Sequence, residues 1–423
     1  MRKLVPVWAV AAATGGLLTG FHIGVVSGVL LFVRKAFALG AFEQGALVSA
    51  LPLGGMVGGL LAGRLADRLG RRSTLVLAGL AFAVGALLAV TAPSFAVLLA
   101  GRVVTGAAAG VASSVVPVYL SEMAEPAIRG QLVALNQLML TVGILVAFLV
   151  DLAFASSGAW RAMFAVSLVP TAAFVLGMVR APEPHPAARE ERADAVRPSR
   201  LLVSSARPAL VIALVLAIAQ QFSGINAVIS YAPSIMEKTG LNVSDSILYS
   251  VTIAVVNVVA TVASFRLVDR VGRRPLLLGS AAGMAVALGG LGLTFLLPRG
   301  APESWLSLAC LVGFIVAFAV GMGTIFWILI AEIFPPASRA AGASVATATN
   351  WCANFTVGLA FLPVVRAIGE SATFWLFAGV CVFVLLFANR YVPETKGRTF
   401  EAVDSELRDR WGARTPQPAG AYR

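Results

Sequence analysis

The stretch GRLADRLGRR, residues 63–72, returns as RLVDRVGRR at residues 266–274. Both copies sit between long apolar runs. A second pair repeats at a shift of 210 against 202 for the first: Glu122 and Arg129 return as Glu332 and Arg339, with their spacing unchanged. Repeats separated by about 200 residues in a chain of 423 describe a duplicated unit. The composition says what kind of unit. Hydrophobic residues make up 59% of the chain and charged residues only 12%, against about 25% charged in soluble domains. Twelve spanning helices of about 20 residues would use roughly 240 apolar residues, nearly the whole apolar content. The mean hydropathy of +0.89 excludes both a water-soluble fold and a disordered chain.

The net charge of +12 invites a nucleic-acid reading, but its placement does not. Apolar runs broken by charge, Pro or Gly give twelve spans, the first near 7–33 and the last near 371–391. With both termini inside, 25 of the 32 Lys and Arg fall on the inner side and six on the outer. Arg102 alone lies deep in a span. Positive residues favour the cytoplasmic face, so the charge is a topology signal. No nucleic-acid partner is expected. The first apolar run, uncharged from Leu4 to Val33, is too long for a signal peptide and reads as a retained span.

The expected class is therefore an all-α integral membrane protein of about twelve transmembrane helices in two pseudo-symmetric six-helix halves. Residues 1–180 form the N-terminal half, 181–207 a Pro- and charge-rich cytoplasmic linker, 208–391 the C-terminal half and 392–423 a cytoplasmic tail. Both copies of each repeat fall inside, so the halves have parallel topology, as a rocking transporter needs. Cys310, Cys352 and Cys381 lack metal-ligand spacing, and no Walker lysine or nucleophile constellation occurs. Neither an enzyme, a metal site nor a bound cofactor is expected.

Several motifs in order carry a specific resemblance. GFHIGVVSG (20–28), PVYLSEMAEPAIRG (117–130) and NQLMLTVG (136–143) mark the first half. QQFSGINAVISYAP (220–233), WILIAEIFPPASR (327–339), NWCANF (350–355) and PETKGR (393–398) mark the second. Over its full length the chain resembles the sugar porter family of the major facilitator superfamily, which holds facilitative glucose transporters and proton-coupled xylose and glucose symporters. The resemblance implies the major facilitator fold, a cell-membrane location, alternating access and a small sugar as substrate. A hexose or pentose is expected. A polyol or cyclitol would suit the same site, and a non-transporting sugar sensor is the rival of another class. Sensors of this fold add a long cytoplasmic domain, whereas the tail here is short. A single chain is expected to suffice.

Sugar hydroxyls both donate and accept hydrogen bonds, and buried amides match them without the penalty of charge. Gln220, Gln221 and Asn226 place three amides in span 7. Gln221 and Asn226 lie about 140° apart on a straight helix, so Ser223-Gly224 between them predicts a local break. Gln137 in span 5, Asn257 in span 8, and Asn350 and Asn354 in span 11 add four more. Trp327 and Trp351 offer indole faces to the C–H surface of a sugar. By resemblance Gln137, Gln220, Gln221, Asn226, Asn257, Asn350 and Asn354 fall on sugar-contacting positions. For Asn257 packing is an equal reading. Two departures stand out. The family's tyrosine pair is here Ser230-Tyr231, and span 10 keeps Gly321 and Gly323 but lacks proline, which predicts a stiffer helix there.

The repeated inner charges, Asp67, Arg71, Glu122 and Arg129 with Asp269, Arg273, Glu332 and Arg339, are expected to latch the inner face when it closes. Gly63 and Gly101 are expected to permit close helix packing. Energy coupling turns on His22, where proton-coupled members carry Asp and facilitators a neutral residue. By resemblance its partner is Arg102, and the imidazole is expected to accept a hydrogen bond from that guanidinium. Facilitated diffusion is thus preferred, with H+ as co-transported ion the alternative. The other intramembrane acid, Asp151, sits near the outer end of span 5.

Overall fold

The computed structural model describes residues 7–124, 129–184, 207–297, 301–335, 338–398 and 400–411. Among them twelve helical segments are long and apolar enough to cross a membrane. Spans 1 to 6 are Val7–Ala36, Ala41–Leu69, Arg71–Val90, Phe95–Met123, Ala134–Ala153 and Trp160–Arg180. Spans 7 to 12 are Arg207–Lys238, Val243–Val271, Arg273–Thr294, Ser304–Glu332, Ala341–Ile368 and Glu370–Tyr391. A short helix, Phe400–Trp411, follows on the same side as the inner repeats, where Trp411 meets Tyr391. Most of linker 181–207 lies outside the described residues.

Lipid supplies no hydrophobic drive for helices to associate, so close packing by small residues must do it. Spans 2 and 4 show how. A side chain at Gly54 would stand 2.0 Å from the Val103 carbonyl, and one at Gly58 2.0 Å from that of Ala107. Gly106 and Gly110 return the contact against Leu51 and Gly55. Gly101 packs on Gly85 as expected, but Gly63 does not: nothing lies within 4 Å of where its side chain would be.

Four spans are broken, span 6 among them at Val166-Ser167. Span 7 stops at Phe222 and restarts at Ile225, with Gly224 at φ +86°, so the expected break is present. A side chain there would also strike the Phe377 ring. Span 10 breaks at Gly321 without any proline, contrary to the expected stiffness. Packing is the reason. Gly321 is pressed onto Ser280, whose hydroxyl accepts the freed Met322 N–H at 2.9 Å. Span 1 parts at Val25 into Val7–Gly24 and Val26–Ala36.

The two halves meet toward the outer side. Gly45 of span 2 abuts the Leu359 backbone of span 11, Gly358 packs on Ser49, and the Trp351 ring lies on Gly55. Leu31, Ala155 and Ile247 form a small apolar seal between the halves. Arg34 at the end of span 1 binds both oxygens of Glu237 at the end of span 7, each at 2.7 Å. Among the described residues this is the ion pair that joins the halves. The face opposite the repeated charges is closed.

Candidate sugar site and charge clusters

Four of the predicted amides form one directional chain. Asn226 Nδ2 donates to Gln221 Oε1 at 2.6 Å. Gln221 Nε2 donates to Asn350 Oδ1 at 2.9 Å, and Asn350 Nδ2 to Gln220 Oε1 at 2.8 Å. Gln220 Nε2 ends the chain on the Met322 carbonyl at 3.0 Å, at the break in span 10. Gln220, Gln221 and Asn350 are buried, while Asn226 is half-buried at the open end. The break at Ser223-Gly224 is what turns Gln221 and Asn226 toward each other, because the straight-helix geometry would hold them apart. Such a chain has strength as a unit. It is neutral, and its bonds are the same kind that a hydroxyl makes.

The other predicted site residues do not join this chain among the described hydrogen bonds. Asn354 lies buried one turn beyond Asn350, and Asn257 is buried on span 8. Gln137 is half-buried on span 5. Trp327 is 39% exposed, edge-on to Phe326, whereas Trp351 is 8% exposed and packed on Gly55. Trp351 is thus as much an inter-half contact as an open sugar face. Tyr231, the retained member of the tyrosine pair, is committed to the Gly358 carbonyl at 3.1 Å.

The expected bond between Arg102 and the His22 imidazole is not formed. Arg102 Nη1 donates to the His22 backbone carbonyl at 2.7 Å. The reason is the break in span 1, which frees that carbonyl from the helix ladder and offers the guanidinium a strong acceptor. The His22 ring instead stacks on Phe82, 5.5 Å away and 7° from parallel, with Phe21 edge-on. Both ring nitrogens lack a partner among the described residues.

At the inner ends the charges pair within each half. Arg71 meets Asp67 at 3.3 Å and Glu122 at 3.4 Å. Arg273 reaches Glu332 at 3.0 Å and the Val268 carbonyl at 3.3 Å, while Asp269 is exposed. The side chains of Arg129 and Arg339 lie outside the described residues. The sequence reading missed two members. Glu183 accepts the backbone N–H groups of Arg71 and Arg72, and Glu394 those of Arg273 and Arg274. Glu183 caps the start of span 3 and Glu394 that of span 9, where a helix N-terminus favours an anion. Their signal was present: Pro182-Glu183 and Pro393-Glu394 repeat at a shift of 211 residues, close to the 210 of the Glu122 and Glu332 pair. Burial raises the Glu394 carboxyl, but backbone donors at Lys396, Arg273, Arg274 and Thr395 outweigh it and hold the carboxyl below its ordinary range.

The duplicated halves, the amide-rich midplane and the capped inner loops together define a membrane transporter of small polar solutes. The chain belongs to the "Sugar (and other) transporter" family, whose pattern it matches over residues 8–196 and 185–407. It is 36% identical to the glucose transporter GlcP of Staphylococcus epidermidis, covering 96% of this chain and 98% of that one. It is 35% identical to the galactose-proton symporter of Escherichia coli, covering 94% and 93%. The inward-open structure of the xylose transporter XylE from E. coli superposes with a TM-score of 0.81 at 28% identity, over 94% of this chain and 98% of that one. The chain is a multi-pass membrane transporter and not an enzyme.

Proposed function

We propose that the protein carries a monosaccharide, a hexose or pentose, across the cell membrane by alternating access, as a single chain with both termini cytoplasmic. The observation that carries this reading is the amide chain from Asn226 to Met322. A sugar hydroxyl takes the place of an amide partner bond for bond, so binding exchanges neutral hydrogen bonds and strands no charge. Gln137, Asn257, Asn354 and Trp327 complete the enclosure, with Trp351 at its inter-half wall. The inner clusters around Arg71 and Arg273 are proposed to meet across the halves when the inner side closes.

Transport is proposed to run as facilitated diffusion. His22 supports this, since its ring is held by Phe21 and Phe82 and hydrogen-bonds to nothing described. Proton symport is the second reading, favoured by the names of similar chains, among them galactose- and arabinose-proton symporters. Counterflow in proteoliposomes with a sugar panel, with and without a pH gradient, separates them. Exchange of a hexose or pentose that ignores the gradient is expected. Uphill accumulation driven by the gradient, and abolished by His22→Asn, would overturn the facilitated reading. Exchange of cyclitols alone would overturn the monosaccharide.

A further inference from the structure

The break in span 1 exposes backbone groups on both sides of Val25, and three side chains take them up. On the inner side the His22 carbonyl accepts from Arg102 of span 4. At the break the Gly24 carbonyl accepts from the Ser27 hydroxyl at 2.7 Å. On the outer side the Gly28 N–H donates to Asp151 Oδ2 of span 5 at 3.0 Å. The first is the residue the family resemblance points to; the last has no part in the sugar site or the inner clusters. Asp151 is fully buried, and its Oδ1 has no partner among the described residues. Its approach depends on Gly28, where any side chain would sit within 2.5 Å of the carboxyl group. A buried intramembrane acid with such a shaped berth calls for a role.

The geometry of the outer part of span 1 supplies one. Gly28 lies in the first turn of Val26–Ala36 and Arg34 in its last. Arg34 stands about 13.5 Å beyond Val25 along the axis at 1.5 Å per residue, so a tilt of about 20° at the break would move it by about 5 Å. That displacement parts a 2.7 Å pair with Glu237. One turn outward from Gly28 and Asp151 stand Leu31 and Ala155, which with Ile247 form the seal between the halves. The clamp, the seal and the ion pair therefore follow one another along a single short helix.

We propose that Asp151 is a positioning residue of the outer gate. By accepting the Gly28 N–H it fixes where the outer part of span 1 stands, and so whether Arg34 reaches Glu237. This rests on the alternating-access reading above.

The test uses a chain with Cys310→Ser, Cys352→Ser and Cys381→Ser, and a Val33→Cys reporter, since Val33 is buried in the closed outer gate. Intact cells are treated with a membrane-impermeant maleimide from outside. Asp151→Leu, which keeps the branching of the side chain but not the acceptor, should raise labelling about fivefold as the population shifts toward an open outer side. Asp151→Asn keeps an accepting oxygen and should stay within about twofold of the parent. Leu labelling like the parent, or Asn labelling like Leu, would overturn the proposal. Should Asp151→Leu fail to fold, Gly28→Ala displaces the carboxyl group instead, and parental labelling in that variant overturns it equally. Sugar counterflow by the cysteine-free parent is scored separately. A parent that exchanges no sugar sinks the transport reading while the labelling still decides the clamp.

Discussion

Both halves bury polar side chains within their spans and use them in opposite ways. In the C-terminal half Gln220, Gln221, Asn226 and Asn350 are neutral and bonded chiefly to one another. In the N-terminal half Arg102 and Asp151 spend their bonds on backbone that a helix break set free. Amide–amide bonds can be traded for bonds to a hydroxyl at little net expense, because donors and acceptors are conserved. A buried ionisable group bonded to backbone cannot be traded in that way, since its release strands both partners. One half is built to exchange partners and the other to hold a shape.

Removing Arg102 should break this comparison most severely. Arg102→Leu leaves the His22 carbonyl unpaired, and loss of a charge-assisted bond of about 1.5–3 kcal/mol corresponds to roughly 10- to 150-fold. Initial transport rates should fall by at least that factor, with little change in the concentration of sugar that half-saturates them. A rise in that concentration alone would place Arg102 at the sugar instead. Gln221→Ala should do the reverse. It breaks the middle of the amide chain, at about 1–3 kcal/mol or roughly 5- to 150-fold in sugar affinity. Asn350→Ala in the same protein should add less than its separate effect, because the two amides act as one network. Affinities by isothermal titration for both singles and the double would decide it, and full additivity would show the amides working apart.

The smallest effect concerns the inner caps, where the halves agree. Glu394 has a lowered carboxyl pKa in the folded chain, so its contribution is complete above the ordinary value of 4.5 and is lost as pH falls through the lowered one. Glu394→Gln should therefore lower the Tm modestly at neutral pH, and the gap from the parent should narrow below pH 4.5. A gap that stays constant down to pH 3 would assign the loss to packing.

Much of this architecture was legible in the sequence because it is local. Twelve apolar runs, the charge bias of the loops and the spacing of the repeats need no knowledge of tertiary contacts. The break at Ser223-Gly224 was legible too, since five residues between two amides conflict with a straight helix. The break at Gly321 was not, because its cause is Ser280 on a different span. Nor was the Arg34–Glu237 pair, whose members lie far apart in the chain at helix ends that carry no repeat. Arg102 was found as the lone basic residue deep in a span. Its true acceptor escaped notice because a backbone carbonyl leaves no mark in a sequence. Glu183 and Glu394 were missed as caps for a simpler reason: PETKGR was read only as a motif, and its Pro-Glu counterpart at 182–183 was not set beside it.

The placement of the ion pairs makes the two faces unequal in their response to ionic strength. Arg71–Glu122 and Arg273–Glu332 each tie helices within one half. Arg34–Glu237 spans the halves and is 26% exposed on both sides. Dissolved ions screen partly exposed pairs over a Debye length of about 8 Å at physiological ionic strength and about 3 Å at 1 M. Concentrated salt thus acts first on the contact that joins the halves, while the buried Arg71–Glu122 pair within one half is screened much less.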